Sequence, residues 1–235
     1  MLIDLHAHSS GISKCCRIPF EAGIRAALDV GLDGVVLTNH YQKSYVKDGD
    51  YGAFARRYTE EFRNAKAYGD GAGCKVFFGA EITMERYAGT HLLLYGITER
   101  FIEENPTLFD WTMEEMYVAV KAIGGALVQA HPYRNGGSLL PVRYLDGVEV
   151  NCHPLYGKSD FVDMVEIAQK NGLILTCGGD YHADTYRPQC GTYLPDDLQD
   201  GVALGRYLLE TDKLQLCIHE PNTEKPFVYV WEKSL

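Results

Sequence analysis

Short apolar runs alternate along the chain with stretches whose apolar residues recur every three or four positions. The first run is Met1-Leu2-Ile3-Asp4-Leu5-His6-Ala7-His8. It predicts a strand over 2–8, in which Asp4, His6 and His8 share a face because side chains alternate sides. A loop over 9–17 follows, and Pro19 then stands where a helix starts, ahead of Phe20, Ile24, Ala27 and Leu28 at helical spacing. Gly31 ends that helix, and the order repeats. Gly34-Val35-Val36-Leu37-Thr38-Asn39-His40 reads as a strand. Residues 51–68 read as a helix exposed on its Arg56, Arg57, Glu60, Glu61 and Lys66 side. Lys75-Val76-Phe77-Phe78-Gly79-Ala80-Glu81 is a third strand. His91-Leu92-Leu93-Leu94-Tyr95-Gly96 lies close behind, placed to pair with it as a hairpin-like excursion. A helix over 113–123, strands over 126–132 and 147–153, a helix marked by Phe161, Val165 and Ala168, and a strand over 173–182 complete the series. The tail carries a helix near 202–209 and a strand near 227–231. Repeated βα order, with no repeat, linker or low-complexity segment, predicts a single α/β domain over 1–235 with a mainly parallel sheet. A length of 235 residues is ordinary for one α/β barrel.

The ends of the strands carry the chemistry. Six of the eight histidines close apolar runs: His6, His8, His40, His131, His153 and His182, with Glu81 and Asp180 in the same kind of place. His91 instead opens a run, and His219 lies in the polar tail. In a parallel barrel all C-terminal strand ends converge on one face, so residues distant in sequence meet there. A lone histidine at a strand end is usually a packed residue, but six with two carboxylates point to a metal site. Imidazoles with carboxylates suit zinc, manganese or iron, whereas calcium and magnesium prefer oxygen shells. The donors outnumber what one ion can use, so two or three divalent ions are expected, bridged by a carboxylate.

Composition narrows the rest. The chain is 46% hydrophobic and 23% charged, with no 18-residue apolar run to span a membrane. The motif strand opens at residue 1, so no signal peptide is expected. Seven cysteines, odd in number and without CxxC spacing, argue against a disulfide framework and for a reducing, cytoplasmic setting. A formal net charge of −10 disfavours nucleic acid as a partner and leaves a small phosphorylated molecule as the expected one, provided the site itself is positive. Oligomeric state is not written in these patterns.

Asp4-Leu5-His6-Ala7-His8, Thr38-Asn39-His40, Gly79-Ala80-Glu81, His91-Leu92-Leu93-Leu94-Tyr95-Gly96, Ala130-His131-Pro132 and Gly179-Asp180-Tyr181-His182 resemble, in order, the motif series of the PHP (polymerase and histidinol phosphatase) family. The resemblance runs from residue 2 to about residue 182. It implies a distorted TIM-like (β/α)7 barrel and a phosphoesterase site with up to three metals. Carried over by motif, His6 and His8 hold a first metal with Glu81 and Asp180. Glu81 bridges to a second held by His91 and His131, and His40 and His182 hold a third. The family's further His or Asp ligand after the HxH motif is missing from residues 9–17, which end Lys14-Cys15-Cys16-Arg17. Either Cys15 or Cys16 substitutes as a thiolate, which would favour zinc, or Lys14 or Arg17 places a fixed positive charge there and binds phosphate; the second is the arrangement adopted. Asp4 reads as a group that orients a ligand. His153 has no place in the ligand list; it contacts substrate, donates a proton or lines the mouth.

The expected reaction is hydrolysis of a small phosphomonoester by a metal-activated bridging water, with His182, His153 and Asp180 as catalytic groups. Lys14, Arg17, Arg134 and Arg187 are the candidates for binding phosphate. The alternatives are a metallohydrolase of amidohydrolase type, or a barrel that binds metal without turnover and serves regulation. The amidohydrolase barrel usually offers a carboxylated lysine as bridge, and no lysine ends a strand here. Polymerase-associated relatives carry further domains for which this length leaves no room. Substrate choice would rest with loops 41–50 and 135–144.

Overall fold

A computed structural model describes residues 1–87, 89–153, 160–183, 187–221 and 223–233. The elements run β1 (Leu2–Ala7), α1 (Phe20–Asp29), β2 (Gly34–Leu37), β3 (His40–Tyr41), α2 (Tyr51–Ala72), β4 (Lys75–Thr83) and β5 (His91–Tyr95). They continue with α3 (Glu99–Glu104), α4 (Met113–Ala122), β6 (Ala126–Gln129), β7 (Gly147–Asn151), α5 (Phe161–Asn171) and β8 (Ile174–Gly178). The tail adds β9 (Gly191–Tyr193), α6 (Gly201–Glu210), β10 (Lys213–Ile218) and β11 (Phe227–Glu232).

Seven strands form the ring, in the order β1-β2-β4-β5-β6-β7-β8. It closes where Asp180 N donates to His6 O at 2.7 Å and Ala7 bridges Tyr181 in parallel register. The expected distorted (β/α)7 barrel is therefore the fold. The distortion is β5, which runs antiparallel to both β4 and β6 while β1–β2, β2–β4, β6–β7 and β7–β8 are parallel. The excursion anticipated at residue 91 is thus a strand of the wall. Strands covered on both faces read as continuous apolar runs; Leu127, Val128, Val148, Val150 and Leu175 are fully buried.

Local signals set the helix ends. Asp50 Oδ1 accepts from Ala53 N at 2.8 Å at the start of α2, and Gly73 takes the left-handed turn after its end. Thr112 and Glu115 form a reciprocal capping box on α4. The predicted second strand is broken: β2 stops at Leu37, and His40 opens β3, which pairs with β4 through His40↔Glu81. Elements β9, β10 and α3 were not expected. Gly191–Tyr193 and Glu99–Glu104 are too short to carry a period. β9, β10 and β11 form an antiparallel arm that joins the sheet through the pairing of β9 with β1. Among the described residues no helix is long and apolar enough to cross a membrane, and all seven cysteines are unbridged.

One contact fixes α6 against the ring. A Cβ placed on Gly205 would lie 2.4 Å from Gly96 Cα, and Gly96 itself needs glycine at φ 79°. Backbone cannot give way as a side chain does. Gly205→Ala is expected to destabilise the fold by about 1–3 kcal/mol, read as a lower urea midpoint with an unchanged m-value.

Candidate metal centre

The site is built around one carboxylate. Glu81 is fully buried on β4, and five imidazoles face its two oxygens. Oε2 lies 2.7 Å from His40 Nδ1 and 3.3 Å from both His6 Nε2 and His8 Nε2. Oε1 lies 2.7 Å from His91 Nδ1 and 3.0 Å from His131 Nε2. Asp180, just past β8, brings Oδ1 to 3.0 Å from His8 Nε2 and 3.3 Å from His6 Nε2. Donor atoms of His6, His8, Glu81 and Asp180 all lie within 4.8 Å of one another, the set assigned to a first metal from the motifs. His91 and His131 both lie against Glu81 Oε1. His40 stands between sets: it groups with Glu81 and His91, and also with His8 and His182. His153, buried, groups with Asp180 and His182, so it belongs to the cluster although the motifs gave it no place.

The orientation of the rings follows from the groups behind them. His6 Nδ1 lies 2.8 Å from Glu149 Oε1, so its N–H donates there and Nε2 turns its lone pair inward. Ser13 Oγ donates to Asn39 Oδ1 at 2.9 Å, so His8 Nδ1, 3.0 Å away, must donate to Ser13 and leave Nε2 free. His182 Nδ1 donates to the Asp180 carbonyl at 2.7 Å. Glu149 also accepts from His131 N at 3.1 Å and from Asn151 Nδ2 at 3.1 Å. Asp4 Oδ1 accepts from His6 N at 2.9 Å and Gly179 N at 2.8 Å, the orienting part expected of it. Glu149, Ser13 and Asn39 were missed in the sequence. The signal for Glu149 was present: it shares a strand face with Asn151 and His153 in an otherwise apolar run.

Whether these residues suit a metal is decided by the orphaned atoms. His6 Nε2, His8 Nε2, His40 Nδ1, Glu81 Oε2 and Asp180 Oδ1 are buried and make no hydrogen bond of proper geometry. Leaving five such atoms unpaired would be severely destabilising, and cations placed among them satisfy all five. Two of the ligand candidates, His131 (φ 29°) and Asp180 (φ 48°), sit in the left-handed region that non-glycine residues avoid, strain that concentrates at functional sites. The donor set of imidazoles and carboxylates fits zinc, manganese or iron.

Burial by itself would raise Glu81, but His40, His91 and His6 outweigh it and hold the carboxyl well below the usual range. Asp180 behaves alike, burial being overcome by His6 and Arg134. Burial opposes protonation of His40, yet Glu81 and Cys15 push it up to about 10. His6 is raised against its burial by Glu149, Asp180 and Glu81. His8 goes the other way, lowered by burial and by the charges of His182 and His40. Burial lowers His153 to about 4.

The four cationic candidates are placed differently. The Arg134 guanidinium pairs with Asp180 at the cluster. Arg187 is buried, donates to Asp4 Oδ2 at 2.6 Å and stacks 4.6 Å over Tyr181, so its charge is spent behind the cluster rather than offered to a ligand. Lys14 is exposed; its Nζ donates to the Ser44 carbonyl at 3.1 Å and lies 4.7 Å over the Tyr45 ring. Arg17 is exposed and ties its N–H to His182 O at 2.8 Å. Cys15 of the same loop is exposed, its Sγ lies 3.9 Å from Tyr45 Oη, and against its partial burial His182 and His40 bring the thiol down to about 6. Cys16 instead donates to Ile18 O, and burial raises its thiol to about 11.

Two outcomes follow. His40, pushed up to about 10, carries a proton at pH 7 in the metal-free protein, and His6 and His182 are shifted in the same direction. Metal binding must expel that proton, so calorimetry in buffers of different ionisation enthalpy should show proton release, and apparent affinity should fall as pH drops. Glu149→Gln should weaken metal binding by roughly 10–100-fold through the loosened His6 ring, measured by competition with a chromophoric chelator.

No protein-family model matches the chain. No curated protein sequence matches it either. Solved structures do. A two-domain Bacteroides vulgatus protein, described as containing a predicted PHP-like metal-dependent phosphoesterase, superposes with a TM-score of 0.65 at 17% identity, over 93% of this chain and 65% of its own. A Bifidobacterium adolescentis protein named for a proposed metal-dependent phosphoesterase activity gives 0.54 at 16%, over 86% and 93%. An amidohydrolase from Chromobacterium violaceum, solved with bound sulfate and no metal, gives 0.56 at 17%, over 83% and 93%. At these identities the likeness is one of fold, and with the motif order already noted it gives this chain the PHP-like barrel fold.

Proposed function

We propose that the protein is a metal-dependent phosphoesterase that hydrolyses a small phosphomonoester. The observation that carries the reading is Glu81, a fully buried carboxylate with five imidazoles from four chain segments on its two oxygens, the arrangement of a ligand that bridges two cations. His6, His8 and Asp180 would hold one cation with it, and His91 and His131 the other. Cations bound there would supply an acidified water and an electrophilic clamp for the phosphoryl oxygens. Arg134, at the edge of the cluster on Asp180, is placed to bind a phosphoryl oxygen and to hold Asp180 in position. His153 and His182 flank the other side of Asp180 and are the groups to protonate the leaving oxygen. Lys14 and Arg17 lie on the exposed loop beside them and would meet the remainder of the substrate.

The amidohydrolase name of one structural neighbour supports a second reading, attack on a C–N bond by the same residues. Against it, the bridging place is filled by a glutamate, and an arginine stands beside the cluster, which suits a dianionic phosphate.

Metal-stripped protein should fail to hydrolyse an aryl phosphate, and manganese or zinc should restore turnover. No turnover of any phosphomonoester with any of these metals would sink the proposal, and hydrolysis of an amide or lactone panel in its place would establish the second reading. Glu81→Gln should lower kcat by more than the roughly 10–100-fold typical of residues behind a metal ligand. Arg134→Gln should raise KM for the phosphate by roughly 10–100-fold.

A further inference from the structure

We propose that Cys152, Cys177 and Cys190 form a separate metal site, a buried three-thiolate position for a soft monovalent cation, copper(I). The site shares no residue with the histidine cluster and does not rest on the hydrolase reading.

Strand alternation keeps the two sites apart. Along β7 and its continuation Glu149 and His153 turn towards the histidine cluster, so Cys152 turns to the opposite face. Cys152 N still donates to Gly178 O at 2.9 Å, which holds this segment in register with β8. There Cys177 pairs with Val150, two residues before Cys152 and on the same face as it. Cys190 arrives from the segment before β9, and Cys177 N donating to Thr192 Oγ1 at 3.2 Å holds that segment against β8. Gly179 is the partition between the sites. A Cβ on it would lie 3.2 Å from Cys190 Sγ and 2.9 Å from Asp4 Oδ2.

Three sulfurs from three segments thus converge. All lie within 4.8 Å of one another, with Cys152 and Cys177 3.6 Å apart, and the residues are 1%, 0% and 0% exposed. One buried cysteine packs as a small apolar side chain, but three with converging sulfurs present a set of soft donors. Sulfurs held at about 2.3 Å from a shared ion stand roughly 4 Å apart, so small side-chain shifts close the set on a cation. Among the described residues no imidazole or carboxylate joins the group. The neighbouring thiol of Cys217 is turned away and donates to Gln189 O at 3.3 Å. Zinc in a closed site takes four ligands, and calcium and magnesium take oxygen. Three thiolates without a fourth donor suit copper(I), a soft ion that needs only three. Binding forms three S–Cu bonds and releases the thiol protons to water, with no change of oxidation state. An occupied site ties the ends of β7 and β8 to the segment before β9, directly behind Gly179 and hence behind Asp180.

Reduced full-length protein, titrated anaerobically with copper(I) against a chromophoric copper(I) chelator, should retain about one equivalent per chain. Copper-edge X-ray absorption of that sample should show a shell of sulfur without nitrogen. Cys152→Ser, Cys177→Ser and Cys190→Ser should each weaken retention by more than the roughly 10–100-fold typical of a residue behind a ligand. Cys15→Ser, which removes an exposed thiol, should leave retention unchanged. Circular dichroism checks that each variant folds, and the wild-type absorption spectrum decides where a serine variant does not. Failure to retain copper(I), equal retention in wild type and the three serine variants, or a nitrogen shell that places the ion among the histidines would overturn the assignment. Restoration of aryl phosphate turnover by manganese reports on the histidine cluster separately, so either proposal can fail while the other stands.

Discussion

Two carboxylates out of water at the mouth of a barrel are the constraint on which this structure depends. Glu81 and Asp180 are 0% and 1% exposed, and an isolated buried carboxylate would take up a proton rather than stay ionised. Both instead stay ionised because imidazoles reach them from separate parts of the chain: β1 and the residue after it (His6, His8), β3 (His40), the start of β5 (His91) and the segments that follow β6 and β8 (His131, His182). Behind the imidazoles a second ring of acceptors, Glu149, Ser13 and the Asp180 carbonyl, fixes which nitrogen carries the proton. Asp4 anchors the backbone of His6 and of Gly179 beside Asp180, and is itself held by Arg187. The arrangement is mutual: remove any member and a neighbour is left charged and unpaired in low dielectric. The left-handed backbone at His131 and Asp180 is tolerated because so many contacts over-determine it.

The reversed strand explains a residue that a purely parallel barrel could not place. A run that begins with histidine would put that side chain on the face opposite the strand ends. β5 runs backwards, so Thr83 pairs with His91 and the first residue of β5 lies beside the last of β4. The N-terminal end of one strand thereby joins the C-terminal ends of the others, and His91 reaches Glu81 from the neighbouring strand at 2.7 Å.

What the sequence revealed follows from this. Period-two alternation in the first run placed His6 and His8 together, and the βα rhythm brought the remaining strand ends to one face, so the cluster's membership was legible before its geometry. The contacts that decide roles were not. Nothing in the pattern separates Arg134, which meets Asp180, from Arg187, which is packed against Asp4 and Tyr181; both follow a motif by a few residues, and the difference lies in where two loops fold. The hydroxyl of Ser13 acquires its part from the turn that carries it back to Asn39 and His40. β9 escaped notice because a three-residue strand is defined by its partners β1 and β10, not by its own period.

Charge then links occupancy of the site to recognition. The chain is acidic overall, with a formal charge of −10, and Asp4, Glu81, Glu149 and Asp180 are all gathered within a few residues of the cluster. Against them stand the two guanidiniums of Arg134 and Arg187, the second already neutralised by Asp4. In the absence of cations the remaining compensation is imidazolium, which spreads positive charge over rings that face Glu81 and Asp180 rather than outward. Divalent ions would replace those protons with charge concentrated at the mouth, reversing the local sign while leaving the surface acidic. An anionic ester would then meet attraction only at short range, inside the mouth. Selection for a small phosphorylated molecule would thus come from the contrast between surface and site, and it would act only on the metal-loaded form.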